Sequence, residues 1–313
     1  LNAYYDVSLK EARLSQLRAY PAFSFIKADL ADRDGMAKVF ATHDFTEVVH
    51  LAAQAGVRHS LTHPHDYIDT NVMGFLNILE GCRHVKKLKH LVFASSSSVY
   101  GLNTKFPWSA HDGTDHPMSL YAATKKANEL MAHSYSHLYN IPATGLRFFT
   151  AYGPWGRPDM ALFRFTRAIL ENEPIEVYNN GQMERDFTYI DDVVDGIVNV
   201  LKRPASASKE WDSANPDVPT SPAPYRIYNI GNNRPEPLLT LVEYLEEALG
   251  IKAQKNMLPM QAGDISRSYA DIDDMNQQFG FKPTTPLKQG VDRFVAWYCD
   301  YYRIDLKALK KRA

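Results

Sequence analysis

The stretch HLVFASSSSVYG, residues 90–101, decides the fold because it predicts a buried strand that runs into a serine-rich end. After His90, the next six residues are apolar or small and include the β-branched Val92 and the aromatic Phe93, as is typical of a strand covered on both faces. The helical pattern SLYAATKKANELMAHSYSHLY (119–139) follows, and ATGLRFF (143–149) predicts the next strand. A strand, a helix and a second strand in this order predict a βαβ unit with parallel strands.

The same alternation extends toward the beginning of the chain. FSFIKADL (23–30) and EVVHLAA (47–53) predict two more buried strands, and helix candidates cover roughly 33–42 and 64–84. Repeated strand–helix units predict the α/β class with a doubly wound parallel sheet. Ligands of such sheets bind beyond the carboxyl ends of the strands.

Small or polar residues follow the ends of the predicted strands. Asp29, Ala52–Gln54, Ser95–Ser98 and Phe149–Tyr152 occupy these positions. Because the strands are expected to be parallel, we expect these residues to meet at one edge of the sheet and to line a crevice.

The second half of the chain changes character after a Pro/Gly-rich turn, GPWGRPDM (153–160). A helix is predicted at about 160–171, a strand at RDFTYI (185–190) and a helix at DDVVDGIVNVLKR (191–203). A Pro/Ser-rich loop then precedes YRIYNIG (225–231), which predicts a strand that returns to the sheet. The remainder of the chain is mostly helical by pattern.

The composition argues against several classes of protein. The net charge of −1 at pH 7 leaves no electrostatic footprint for nucleic acid or an anionic membrane. Only Cys82 and Cys299 are present, without the paired spacing of a disulfide framework or a zinc site, which fits a reducing cytoplasm. No apolar run approaches the roughly 20 residues that a membrane span needs, and the first residues do not have the pattern of a signal peptide.

Tyr121 and Lys125 lie one turn apart on the predicted helix that follows the serine-rich strand end. A nearby ammonium group favours phenolate over phenol, so we expect Lys125 to lower the pKa of Tyr121 toward the working range of a general base. Removal of an alcohol proton is useful when a hydride leaves the same carbon, which predicts a nicotinamide acceptor. The alternative is an ordinary surface pair without a catalytic role.

Several motifs together resemble the extended short-chain dehydrogenase/reductase family. They are SSSSVYG (95–101), Tyr121-x-x-x-Lys125, LRFFTAYGPWGRPDM (146–160) and RDFTYIDDVV (185–194). Within that family, the chain is similar to the bacterial epimerases that act on UDP-glucuronate. The resemblance implies a Rossmann-like fold, an NAD cofactor and a UDP-sugar substrate.

The resemblance also implies roles for individual residues. Tyr121 is expected to be the catalytic base and acid, Lys125 to hold the nicotinamide ribose, and Ser96 to bond the reacting C4 hydroxyl. The cofactor contacts are expected to be Asp29, Leu30, Leu51, Ala52, Ala53, Gln54 and Asn71, together with Tyr121 and Lys125. The substrate contacts are expected to be Ser97, Ser98, Thr150 and Arg157 around the uronate carboxylate, Arg185 and Arg267 at the diphosphate, and Arg58 near the sugar.

The implied reaction inverts C4 of UDP-glucuronate through a transient 4-keto sugar and yields UDP-galacturonate. A 4,6-dehydratase is disfavoured because Ser97 and Ser98 stand where such relatives carry Asp-Glu. A UDP-glucuronate decarboxylase remains an alternative, although the glutamate typical of that group is missing from this strand end. An epimerase of the UDP-glucose/galactose type is the second alternative.

The family's dinucleotide motif, G-x-x-G-x-x-G on the first strand–helix turn, does not occur in the sequence. We therefore expect an N-terminal glycine-rich segment to be missing from this chain. A cofactor-free module that binds nucleotide sugars remains the non-enzymatic alternative.

The resemblance finally implies a domain division and an assembly. Relatives form homodimers through two helices per subunit, which would be about 64–84 and 119–139 here. The NAD-binding domain is expected at 1–152 with about 185–203 and 225–231, the smaller and mostly helical UDP-sugar-binding domain at about 153–184 and 232–313, and a loop at 204–224.

Overall fold

A parallel four-stranded sheet lies at the centre of the computed structural model, which describes residues 2–310. Residue 1 and residues 311–313, which the predicted domain boundaries include, lie outside the described residues. The strands are β1 Glu47–His50, β2 His90–Ser96, β3 Ala143–Phe148, β4 Thr150–Tyr152, β5 Ile175–Val177, β6 Glu184–Tyr189, β7 Tyr225–Ile230, β8 Pro235–Pro237 and β9 Lys255–Met257.

Helices cover both faces of this sheet and form most of the C-terminal part. They are α1 Val7–Leu17, α2 Arg33–Thr42, α3 His59–Thr62, α4 Pro64–Tyr67, α5 Gly74–His84, α6 Leu120–Tyr139, α7 Ala161–Leu170, α8 Ile190–Leu201, α9 Leu238–Leu249, α10 Asp273–Phe279, α11 Leu287–Tyr301 and α12 Leu306–Lys310. Short 3₁₀ turns occupy Ser97–Tyr100 and Tyr178–Gly181, and a π-helical turn occupies Ile68–Met73.

The central sheet has the order β1-β2-β3-β7 with all strands parallel, which confirms the predicted α/β class. Successive side chains of β2 pack on opposite faces: Leu91 and Phe93 join a cluster with α5, whereas Val92 joins a cluster with α8. Burial on both faces explains why this strand is almost continuously apolar in sequence.

The sheet places the predicted crevice where β2 and β3 end. Ser96 of β2 pairs with Phe148 of β3, and Phe148 pairs with Ile230 of β7. Three parallel strands therefore end at the same level, and α6 begins beside them with Ser119 as its N-cap.

The strand predicted at 23–30 is absent, and this prediction is wrong. The segment is irregular, and Phe25 and Ile26 are 41% and 46% exposed. A strand persists only when a neighbour pairs with its backbone. Within the described residues, β1 is the edge of the sheet and no strand pairs with this segment.

The helix predicted at 64–84 is interrupted by the π-helical turn. Asn71 lies in this turn and is buried, and its side chain bonds the backbone of Gln54 just beyond β1. Through Asn71, the π-helical turn is therefore bonded to the loop that follows β1.

A second core fills the C-terminal part of the chain. It joins α7, α9 and α11 to the smaller sheet β4-β6-β8, in which β4 and β6 are parallel and β8 is antiparallel. Leu9 of α1 is 1% exposed and packs into this core, so the N-terminal helix is anchored to the C-terminal part. No helix among residues 2–310 has both the length and the apolar character that a bilayer crossing requires.

Candidate active site

A cleft of about 880 Å³ opens at the carboxyl ends of β2 and β3. It lies between the central sheet and the C-terminal core, where a doubly wound sheet is expected to bind its ligands. Eleven of the predicted site residues line it: Leu51, Ala53, Gln54, Ser96, Ser97, Ser98, Tyr121, Lys125, Thr150, Arg157 and Arg185.

Ser96 and Tyr121 meet in this cleft. Ser96 is the last residue of β2, and its hydroxyl accepts a 3.2 Å hydrogen bond from the backbone N–H of Ser98. The Ser96 side chain also acts to lower the pKa of the Tyr121 phenol, which favours the phenolate. The two side chains are therefore in place to hold one hydroxyl group of a ligand between them.

Lys125 lies one turn after Tyr121 and is 1% exposed. Its Nζ donates a 3.0 Å hydrogen bond to the carbonyl oxygen of Ala94, and burial lowers the pKa of this ammonium group to about 8. An ammonium group has three donors, so Lys125 retains capacity for a ligand in the cleft.

The pKa of Tyr121 moves in the opposite direction from the sequence-based expectation. Burial raises the pKa above its ordinary value of 10, and this outweighs the lowering by Ser96 and by the charge of Arg157. The expectation that Lys125 lowers this pKa is therefore wrong for the protein alone. Lys125 is directed to the Ala94 carbonyl, and Arg157 is the cation whose charge acts on the phenol.

A buried ion pair joins β3 to α6, the helix that carries Tyr121 and Lys125. It was not predicted from the sequence. Arg147 of β3 donates from Nε and Nη2 to the two carboxylate oxygens of Glu129 on α6, at 2.9 and 3.0 Å. Ser95 donates to the same carboxylate at 2.6 Å. Burial would raise the pKa of Glu129, but the charge and hydrogen bonds of Arg147 outweigh it and hold this pKa below its ordinary value. Glu129 follows Lys125 by four residues, so the two lie on the same helix face. This spacing is the sequence signal that could have identified Glu129.

The part of the cleft in which cofactor contacts are expected contains a buried polar group without a partner among residues 2–310. Gln54 is 5% exposed, and its side-chain nitrogen has no hydrogen-bond partner among the described residues. Asn71 lies behind it and positions its backbone, accepting from the Gln54 N–H at 2.8 Å. The unpaired amide and the remaining donors of Lys125 are suited to the hydroxyl and amide groups of a dinucleotide.

Four predicted cofactor contacts do not line the cleft: Asn71, which lies behind Gln54, and Asp29, Leu30 and Ala52. Asp29 is exposed and accepts from the backbone N–H of Ala31 at 3.0 Å. Leu30 packs against the α2–α5 cluster, and its carbonyl accepts from Asn77. Ala52 follows β1 and is exposed.

Arg157 is held by an aspartate of its own loop. Its Nε and Nη2 donate to the two oxygens of Asp159 at 3.0 and 2.8 Å. The hydroxyl of Tyr4 also donates to Asp159, at 3.2 Å. Thr150 and the Ser97–Ser98 turn line the same part of the cleft. The motif GRPDM contains Arg157 and Asp159 together, although the sequence analysis assigned no role to the aspartate.

The predicted diphosphate arginines are likewise paired with carboxylates. Arg185 donates from Nη2 to Asp264 at 2.9 Å and to the carbonyl of Ile265 at 2.7 Å. The other oxygen of Asp264 lies 3.5 Å from Arg58, which is outside the cleft lining. Arg267 is also outside the lining, and its Nε lies 2.8 Å from Glu184. Asp264 thus links two of the three arginines, which the sequence analysis did not foresee.

Comparisons with known proteins point to one family. Residues 3–231 match the NAD-dependent epimerase/dehydratase family. The Protein CapI of Staphylococcus aureus is 55% identical over 303 residues, which cover 97% of this chain and 90% of that protein. A probable UDP-glucuronate 4-epimerase of Rhizobium meliloti is 48% identical over 97% of this chain and 89% of its own length.

A solved structure with a nucleotide sugar and NAD bound has the same fold. The UDP-glucuronic acid 4-epimerase of Bacillus cereus, in complex with UDP-glucuronic acid and NAD, superposes with a TM-score of 0.81. It is 32% identical in sequence, and the match covers 95% of this chain and 88% of that one.

Proposed function

Because the chain belongs to the NAD-dependent epimerase/dehydratase family, we propose that it is an isomerase that converts UDP-glucuronate to UDP-galacturonate. The observation that carries this proposal is the meeting of Ser96, Tyr121, Lys125 and Arg157 in one cleft. The first three form a proton-transfer site for a sugar hydroxyl. The fourth supplies the charge that a uronate requires.

Bound NAD⁺ would supply the hydride acceptor for C4, and its positive nicotinamide would favour the phenolate of Tyr121. Lys125, Gln54, Ala53 and Leu51 are the residues of the cleft that we propose to hold this cofactor. The unpaired side-chain nitrogen of Gln54 and the buried ammonium group of Lys125 support this assignment.

The proposed role of the protein is to hold the C4 hydroxyl and to move its proton. Ser96 donates a hydrogen bond to the C4 oxygen, and Tyr121 takes the proton from the same oxygen as C4 is oxidised. The 4-keto sugar then turns about its diphosphate link and presents its other face. Tyr121 returns the proton when C4 is reduced, so the net result is inversion at C4 without loss of atoms.

The sugar carboxylate is proposed to bind between Arg157, Thr150, Ser97 and Ser98. Hydrogen bonds and a cation keep the carboxylate ionised and in place while C4 is a ketone. A carboxylate held in this way is disfavoured from leaving as CO₂, which is what an epimerase requires. The paired donors of Arg157 suit the planar carboxylate.

The diphosphate is proposed to bind at Arg185 of β6 and at Arg267 on the rim, with Arg58 near the sugar. All three lie near the boundary of the C-terminal core, which we propose as the UDP-sugar-binding domain at about 153–184 and 232–313. The central sheet and its helices form the proposed NAD-binding domain. Asp29, Leu30, Ala52 and Asn71 remain proposed contacts on the adenine side and behind the cofactor.

We also propose a cytoplasmic homodimer. Leu130 and Leu138 of α6 are 61% and 63% exposed, and Ile68 on the neighbouring helical segment is 43% exposed. Exposed apolar side chains on the two predicted interface segments support pairing of two copies. The two cysteines are free, which supports a reducing compartment.

The direct test is to incubate the purified protein with UDP-glucuronate and NAD⁺ and to separate the products by chromatography. UDP-galacturonate is the expected product. A UDP-pentose would instead indicate decarboxylation, and conversion of UDP-glucose without conversion of the uronate would favour the neutral-sugar epimerase. Absence of both turnover and NAD binding would favour a module that only binds nucleotide sugars.

A further inference from the structure

The N-terminal helix α1 is bonded directly to the loop that carries Arg157. Nη2 of Arg13 donates to the carbonyl oxygens of Trp155 and Gly156 at 2.6 and 3.0 Å. Nη1 of the same guanidinium group donates to the hydroxyl of Tyr5 at 2.6 Å. The two bonded carbonyls precede Arg157 by one and two residues.

The bonded segment adopts a backbone conformation that needs support. Trp155 has a φ of +62°, in the left-handed region that a bulky side chain rarely occupies. Gly153 has a φ of +144°, and a side chain there would collide with Ile190. Trp155 packs against Trp297 and Tyr301 with ring centroids 5.2 Å apart in each pair. The side-chain packing and the Arg13 bonds together hold the loop in this conformation.

Helix α1, which carries Arg13, is fixed in place by packing and by an N-terminal cap. Leu9 and Leu14 are 1% and 6% exposed, and Asp6 caps the helix by accepting from the N–H of Ser8 at 2.9 Å. Because α1 is fixed to the C-terminal core, Arg13 transmits that fixed position to the Trp155 and Gly156 peptides.

Arg157 depends on this loop for its position. Two of its three nitrogen atoms, Nε and Nη2, bond Asp159, which leaves Nη1 as the nitrogen without a partner among the described residues. The remaining edge of the Arg157 guanidinium group can bind a ligand carboxylate only if the loop keeps its position. Small displacements of a charged donor weaken such bonds strongly.

We propose that Arg13 is a positioning residue for substrate selectivity: it holds the loop 153–160 so that Arg157 meets the carboxylate of a uronate sugar. This inference rests on the proposed function, in which Arg157 binds that carboxylate. Arg13 lines the same cleft, but its hydrogen bonds go to Tyr5 and to the Trp155 and Gly156 carbonyls and not to Ser96, Tyr121 or Lys125. Its loss therefore affects a sugar that carries a carboxylate and spares a neutral sugar on the same nucleotide.

The test compares UDP-glucuronate with UDP-glucose. Titration calorimetry of the NAD-loaded protein gives the affinity for each, and initial rates give kcat and KM for the uronate. In Arg13→Ala we expect about tenfold weaker affinity for UDP-glucuronate, the scale of one charge-assisted hydrogen bond, and an affinity for UDP-glucose within about twofold. KM for the uronate rises more than kcat falls.

Arg13→Lys separates positioning from net charge. Lysine keeps the positive charge but lacks the planar guanidinium group, whose two nitrogens bond Tyr5 and the two carbonyls at the same time, so most of the loss is expected to remain. Arg18→Ala is the matched control, because Arg18 is an exposed arginine at the end of the same helix. This variant is expected to behave as the unsubstituted protein.

Equal losses for both nucleotide sugars, or unchanged selectivity in both Arg13 variants, would overturn the inference. If Arg13→Ala does not show a cooperative melt, Arg13→Lys and Arg13→Gln carry the same comparison. Failure of the unsubstituted protein to prefer the uronate would overturn the proposed function itself. A preference that is undiminished by the loss of Arg13 would overturn only its positioning role.

Discussion

The two sides of the cleft are built in different ways. Ser96 lies at the end of β2, and Tyr121 and Lys125 lie on α6. The buried Arg147–Glu129 ion pair links α6 to the neighbouring strand β3. The arginines on the other side stand on loops and on the short strand β6, and each is paired with a carboxylate of the same chain.

We therefore assign the proposed proton transfer to the first side of the cleft and the proposed binding of anionic groups to the second. The proposed proton-transfer residues have few alternative partners and are held by buried, regular structure, so they are preorganised before a ligand arrives. The arginines carry their own counter-ions, so an anionic ligand must exchange with Asp264 or share Arg157 with Asp159. We expect substitutions on the first side to change stability and rate strongly, and substitutions on the second side to change affinity moderately.

The largest effect is expected from Arg147→Met, which leaves the carboxylate of Glu129 buried without its cation. Loss of one partner of a buried ion pair costs about 3–5 kcal/mol of unfolding free energy. Chemical denaturation monitored by circular dichroism measures this change. Arg33→Met, at an exposed arginine that begins α2, is the control and is expected to leave stability nearly unchanged. A stability loss as small as in the control would show that the ion pair does not brace the site.

The next effect in size is expected from Tyr121→Phe, which removes the proposed proton-transfer group and preserves the ring. We expect kcat to fall by about 10²–10⁴, the usual range for loss of a general acid–base group, with little change in affinity for UDP-glucuronate. Stopped assays with product separation measure the rate, and calorimetry measures the affinity. Tyr139→Phe on the same helix is the control, because its side chain is 39% exposed and lies at the far end of α6. Retention of more than a tenth of the rate would assign the proton transfer to another group.

A smaller effect is expected from Asp264→Asn, which removes the counter-ion shared by Arg58 and Arg185. Partly exposed ion pairs are worth up to about 1 kcal/mol, so UDP is expected to bind about threefold more tightly when the competing carboxylate is lost. Calorimetry at two salt concentrations measures this gain and its screening. Asp44→Asn, which breaks an exposed pair with Lys87 away from the cleft, is the control. Weaker binding of UDP would show that Asp264 positions the arginines rather than competing for them.

Local patterns predicted the regular elements with small errors. The strand proposed at 90–96 is β2, and the helix proposed at 33–42 is α2, with the same residue limits. The segment 23–30 failed because apolar composition describes a strand's surroundings but does not provide the neighbour that its backbone needs.

The candidate site was predicted in the same uneven way. Tyr121 and Lys125 share a helix face because four residues separate them, and the strand-end residues were expected at one edge of a parallel sheet. Their individual roles were implied by the resemblance to the family. The Arg185–Asp264 and Arg13–Trp155 contacts join residues 79 and 142 positions apart, and no local pattern reports such pairs. The direction of the Tyr121 pKa was also missed, because burial and hydrogen bonding depend on everything packed around the phenol.

The amino-acid sequence by itself determined the strand–helix alternation, the shared helix face of Tyr121 and Lys125, and the family to which the chain belongs, because these are properties of neighbouring residues and their order. Tertiary structure alone decided which carboxylate occupies each arginine, which cation acts on Tyr121, and which helix holds the loop of Arg157. Those outcomes depend on distances between groups far apart in the chain, and electrostatic and hydrogen-bonding energies are functions of distance and burial rather than of order along the chain.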